Sequence, residues 1–142
     1  MTKNEIIIKV IAIDGGDDTI QFQLYVSNGT CSSTIEVYGY SDLVTDFGKE
    51  LTEFPVDINH KVIFEHGEKD RNWACFVSLT AKCIEPNGKS ILDIEMINYG
   101  DQTVKHSSAF TMIVEPASIN NLGTQLANWN PKNNSELSWP NV

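Results

Sequence analysis

Apolar and polar residues alternate through the first forty positions. From Ile20 to Val26, Ile20, Phe22, Leu24 and Val26 share one face, and Gln21, Gln23 and Tyr25 share the other. This is the pattern of a strand with one dry and one wet side. Glu5 to Ile13 carries β-branched residues on both parities, which predicts a strand placed more centrally or pairing across a closure. The stretch DGGDD between the two reads as a hairpin loop. Ser27-Asn28-Gly29-Thr30 predicts a type I′ hairpin, because Asn-Gly accepts the positive φ angles that turn needs. A third strand then runs from about Cys31 to Tyr38.

After Tyr40 the period changes. Leu43, Phe47, Leu51 and Phe54 fall within about an 80° arc at 100° per residue, so a helix is expected with that stripe inward. Ser41 is the candidate N-cap, Asp42 suits the positive end of the helix dipole, and Pro55 stops the helix. A second strand-rich block follows, at about Val62–Glu65, Trp73–Ile84, Ile91–Tyr99 and Val104–Val114. Glu85-Pro86-Asn87-Gly88-Lys89 and Gly100-Asp101 read as turns within it. Pro116 opens a last helix as its first-turn proline, with Ile119, Leu122, Leu126 and Trp129 as the apolar stripe. The Asn- and Pro-rich segment 130–142 reads as a loop-like tail, leaving 1–129 as one domain.

The two helices echo each other. Val44, Phe47, Gly48, Leu51 and Phe54 match Ile119, Leu122, Gly123, Leu126 and Trp129 at a constant offset of 75. Glycine inside a helix costs about 1 kcal/mol relative to alanine, so its recurrence at one register signals a close backbone approach, expected here against a sheet. The fold expected is α+β: about seven antiparallel strands in a barrel-like or sandwiched sheet, two amphipathic helices, and an internal β-β-α duplication.

Charge narrows the function classes. Among 142 residues, 10 Lys+Arg face 19 Asp+Glu, a formal net charge of −9. Nucleic acid and anionic membranes are therefore not expected partners, since phosphate binding needs clustered cations, and Arg71 is the only arginine. No apolar run reaches the length of a membrane span, and MTKNEIIIKVIAIDGG lacks the basic-apolar-small order of a signal peptide. Three cysteines, an odd and sparse set, suit a reducing compartment. A cytoplasmic protein is the expectation.

Catalytic and metal chemistry find no motif. His60, His66 and His106 lack HExxH, HxH or His-Cys spacing, so no metal or other cofactor is expected. His66, within Glu65-His66-Gly67-Glu68-Lys69-Asp70, reads as part of a polar turn, and His106 as a partly buried strand residue. Cys75 and Cys83 share a parity but would lie about 26 Å apart along a strand, too far for a disulfide. Cys31 has no adjacent base and could face the core. No GxSxG, GxxxxGK, GxGxxG or CxxC occurs, and DGGDD lacks the ligand spacing of a calcium hand. No catalytic residue is assigned, and the chain reads as a non-enzyme.

One charge feature remains. Residues 36–70 hold nine acids and three lysines, −6 of the total −9. Asp42, Asp46, Glu50 and Glu53 line one flank of the first helix, whereas Asn120, Asn121, Thr124, Gln125 and Asn128 form the polar face of the second. Like charges at i,i+4 oppose helix formation by a few tenths of a kcal/mol, so this acidic edge is the candidate site for a basic protein partner.

The run Tyr40-Ser41-Asp42-Leu43, Phe47 and Leu51, the strand from Asn72-Trp73 to Ser78-Leu79, the Asn87-Gly88 turn and the helix bearing Leu122, Leu126 and Trp129 resemble small bacterial WapI-type immunity proteins. A related bacterial α+β domain family with the same order of elements is similar too. The likeness covers about residues 20–130 and rests on core spacing. It implies a non-catalytic bacterial protein that binds and neutralises a toxin domain, and it brings no ligand residues with it. The alternatives are a small-ligand binder or enzyme with a pocket in the curved sheet, and an oligomeric structural module. The sequence leaves the oligomeric state open.

Overall fold

In a computed structural model, which describes residues 3–70, 75–100 and 105–140, strand periodicity is realised almost residue for residue. The strands are β1 (Glu5–Ile13), β2 (Ile20–Ser27), β3 (Ser32–Gly39), β4 (Lys61–Gly67), β5 (Cys75–Cys83), β6 (Ser90–Asn98), β7 (His106–Val114) and β8 (Glu136–Trp139). Helix α1 (Thr45–Leu51) follows β3 and α2 (Pro116–Asn128) follows β7. The fold is thus α+β, with eight strands among the described residues where about seven were expected. Arg71, Asn72, Trp73 and Val104 lie outside the described residues, and so do the expected starts of the strands at about Trp73–Ile84 and Val104–Val114.

Two open antiparallel sheets form, in the orders β3-β2-β1-β8 and β4-β5-β6-β7. Among the described residues no ladder joins them, so the expected barrel closure is not found. They share one core instead, because each presents one apolar parity inward. On β2 this is Ile20, Phe22, Leu24 and Val26; on β6 it is Leu92, Ile94 and Met96, with Met96 fully buried. Phe47 of α1 meets Phe64 of β4 with ring centroids 5.6 Å apart, and Leu122 and Leu126 of α2 are buried in the same cluster. Leu43 and Phe110 are partly buried against it.

β1 is central, as its two-sided apolar pattern predicts, but only Ile6 and Ile8 are buried. A bulge between Val10 and Ala12 breaks the parity, and Ile11 within it and Ile13 beyond it are exposed. The other flank of β1 pairs with β8, Ile6 opposite Trp139 and Ile8 opposite Leu137. The segment read as a tail therefore supplies an edge strand with two buried side chains.

Several turns and caps differ from expectation. β2 and β3 are joined by a four-residue loop, 28–31, in place of a two-residue type I′ turn. Asn28 Oδ1 accepts the Thr30 and Cys31 amides, and only Gly29 takes positive φ, at 89°. Cys31 is exposed. Ser41 does not cap α1; the cap position is Val44, without a side-chain bond. Thr45 N–H donates to the Asp42 carbonyl at 3.2 Å and Glu53 N–H to the Glu50 carbonyl at 3.3 Å. These i→i+3 turns bracket the helix and shorten it at both ends.

The echo between the helices extends to the strands. The orders β1-β2-β3-α1-β4 and β5-β6-β7-α2-β8 are the same, so the repeating unit is larger than β-β-α. β1 and β5 begin at Glu5 and Cys75, and β2 and β6 at Ile20 and Ser90, so both pairs are 70 positions apart. Ladder registers correspond as well: Phe22 faces Val37 and Leu24 faces Ile35, as Leu92 faces Met112 and Ile94 faces Phe110. The last strand of each half crosses over, β4 joining β5 and β8 joining β1.

Where the halves meet, the helices cross at Gly48 and Gly123. A Cβ on Gly48 would lie 2.5 Å from the Ala127 amide nitrogen and 2.8 Å from the Gly123 carbonyl oxygen. A Cβ on Gly123 would lie 2.7 Å from the Gly48 carbonyl oxygen. The glycines permit helix-on-helix approach, not the helix-on-sheet contact that was expected. Asn120, placed by its spacing on the polar face of α2, turns toward α1. Its Nδ2 donates to the carbonyls of Leu51 at 2.9 Å and Phe54 at 2.6 Å, satisfying the acceptors that a helix end leaves free.

Candidate functional site

The acidic edge is built on the shortest helix. Asp46 and Glu50 lie on α1, one turn apart, while Asp42 and Glu53 lie in the turns that bracket it. All four side chains are exposed. The inward stripe of Val44, Phe47, Leu51 and Phe54 fixes this, since it turns the flanking positions to solvent.

Lysines pair elsewhere. Among the described residues the ion pairs are Lys9–Glu136 at 3.8 Å, Lys69–Glu95 at 2.9 Å, Lys82–Asp93 at 2.6 Å and Lys132–Asp18 at 3.4 Å. None includes Asp42, Asp46, Glu50 or Glu53. Lys49, between Asp46 and Glu50 in sequence, is also outside these pairs. The rim is therefore a net negative field, four acids against the one lysine of α1, Lys49, whereas Asp93 and Glu95 on the outer face of the second sheet each have a lysine.

Asp93 shows what that matching does. Burial raises its carboxyl pKa, but hydrogen bonds from Lys82 and Thr111 and the lysine charge outweigh this and leave it below the ordinary value of 3.8. A carboxyl depressed on folding stabilises the protein fully above the unfolded pKa, and that contribution is lost as pH falls through the folded value. Asp93→Asn is therefore expected to flatten the decline in stability below about pH 4, measured by urea unfolding across an acid series. Parallel declines for the two proteins would count against the assignment.

The histidines carry no shared site. His66 lies on β4 and not in a turn, because β4 extends to Gly67. His106 begins β7 and is half-buried. His60 accepts the Val56 amide at Nδ1, at 3.0 Å, and its ring lies 5.3 Å from that of Phe54; both contacts are structural. Cys75 and Cys83 are buried free thiols, and burial pushes the Cys75 thiol up. Among the described residues no group of three His, Cys, Asp or Glu side chains could hold a metal ion, and no helix is long and apolar enough to cross a membrane.

The shared core leaves an apolar void of about 20 Å³ between the sheets and helices, with Phe22, Phe47, Phe64 and Trp129 among its walls. Small-molecule pockets run to about 300–1,000 Å³, and this void between the sheets is far smaller.

Neither the family models nor the curated proteins compared with the chain give a match. Among solved structures, that of the plant transcriptional regulator PBF-2 is similar at 11% identity and a TM-score of 0.46, over 89% of this chain and 75% of that one.

Proposed function

We propose that the chain is a non-catalytic protein-binding domain of the immunity type its sequence resembles, engaging a basic protein partner at the rim of α1. The supporting observation is the gathering of four exposed acids along one short rim. Asp42, Asp46, Glu50 and Glu53 stay exposed and outside every ion pair among the described residues, while Asp93, Glu95 and Glu136 each have a lysine. Unpaired surface charge of one sign costs a little stability and accelerates encounter with a partner of opposite sign.

Affinity purification with the intact chain, followed by association kinetics of the recovered partner, tests this reading. Asp46→Asn/Glu50→Gln is expected to slow association several-fold at low salt and to flatten its salt dependence, with little change in dissociation. The same double change should leave the fold intact or stabilise it by a few tenths of a kcal/mol, through loss of i,i+4 repulsion. Asp17→Asn/Asp18→Asn removes equal charge elsewhere and serves as control. Equal effects from both variants would reduce the rim to net charge alone.

A further inference from the structure

Where α2 runs into β8, the chain forms an open cleft of about 550 Å³, lined chiefly by Gln125, Asn128, Trp129, Asn130, Asn134 and Glu136. Trp129 lines both this cleft and the buried void. Its indole is thus the wall between core and solvent, fixed inside by Phe22 at 5.9 Å between centroids. Its Nε1–H donates to the Asn134 carbonyl at 2.9 Å, which ties the ring to the loop opposite.

The amides around it are each held at one end. Gln125 Nε2 donates to Asn121 Oδ1 at 2.8 Å, and Asn128 Nδ2 donates to the Thr124 carbonyl at 3.0 Å. Asn130 Oδ1 accepts the Lys132 amide at 3.0 Å, and Asn134 Oδ1 accepts the Glu136 amide at 3.2 Å. Among the described residues these bonds leave two acceptors, Gln125 Oε1 and Asn128 Oδ1, and two donors, Asn130 Nδ2 and Asn134 Nδ2, without a partner. All four belong to side chains whose other end is already fixed, so less conformational entropy remains to be lost on binding.

From this arrangement we propose that the cleft is a binding site for a neutral carbohydrate. Its one charged lining residue, Glu136, is paired with Lys9, so no free cation selects an anion and no free carboxylate cluster selects a metal. The balance of donors and acceptors beside an aromatic wall fits vicinal hydroxyl groups, each of which both donates and accepts.

The test uses the full chain, isotopically labelled, titrated with millimolar chitobiose, cellobiose, maltose and mannobiose while the Trp129 indole N–H and the side-chain amides are followed by NMR. At least one disaccharide is expected to shift the Trp129, Asn128 and Asn134 signals saturably. Affinity should fall about tenfold or more in Gln125→Ala/Asn128→Ala, which removes two hydrogen-bonding partners from partly or fully exposed helix positions. Trp129→Ala is the less useful variant, since its ring also supports the core. Absence of saturable shifts with all four sugars, or undiminished binding by the double variant, would overturn the proposal. So would a response of the same signals to an uncharged peptide but to none of the sugars.

Discussion

Gly48→Ala is expected to lower the unfolding free energy by about 3 kcal/mol, the upper part of the range for overpacking a filled interior. The same change in an exposed helix would stabilise by about 1 kcal/mol, so the sign itself is diagnostic. The new methyl would meet the Ala127 amide nitrogen and the Gly123 carbonyl oxygen. Both are backbone atoms with no rotamer to turn away, and only separation of the helices relieves the clash. Separation in turn loosens Leu51 and Leu122, both fully buried, and stretches the bonds from Asn120 to the end of α1. Gly123→Ala should cost a similar amount, and the double variant less than the sum, since one displacement serves both methyls. Urea denaturation gives the measurement, read as a shift in midpoint at constant slope. Equal or greater stability in either single variant would show that the helices are not in backbone contact.

Trp139→Ala is the second large effect, about 3–5 kcal/mol for deletion of a buried tryptophan. Trp139 is 3% exposed, its Nε1–H donates to the Ser118 carbonyl at 3.1 Å, and it faces Ile6 across the β1–β8 ladder. The substitution opens a cavity, deprives a carbonyl of its donor and loosens an edge strand of only four residues. Ser138→Ala, one position away on the exposed parity, is the matched control and should stay within about 0.5 kcal/mol. A loss below about 1 kcal/mol at Trp139 would mean that β8 adds nothing to the core.

These two predictions mark where the sequence was transparent and where it was opaque. Alternation over eight or nine residues in β2 and β6 leaves one reading of which parity goes inward, and the structure agrees. β8 offers only Leu137 and Trp139, two apolar positions amid Asn and Pro, and period two cannot be told from chance at that length. Its stability comes from a ladder to β1, some 130 positions away, which no local pattern encodes. The paired glycines were legible as a demand for close approach, but not as a demand for one another, because spacing names a face without naming its partner. Asn120 was opaque for the same reason. The acidic rim was legible because exposure follows from the apolar stripe, whereas the absence of its four acids from every ion pair among the described residues is a tertiary fact. The amide cleft gave no signal: its asparagines read as loop composition until α2 and β8 bring them around Trp129.

The β1–β8 ladder bears on how the molecule yields to force. Because β1 and β8 are antiparallel neighbours, with Ile6 opposite Trp139, the outgoing ends of the two strands lie side by side. A pull applied at these ends would load the ladder one rung at a time, in the manner of a zipper. Trp139 would come free first and Glu136 last, and β8 would peel away before either three-strand meander is stretched. Tethered through a terminus and an internal point such as the β5–β6 turn, the chain should resist far more strongly, since load would then shear several rungs at once.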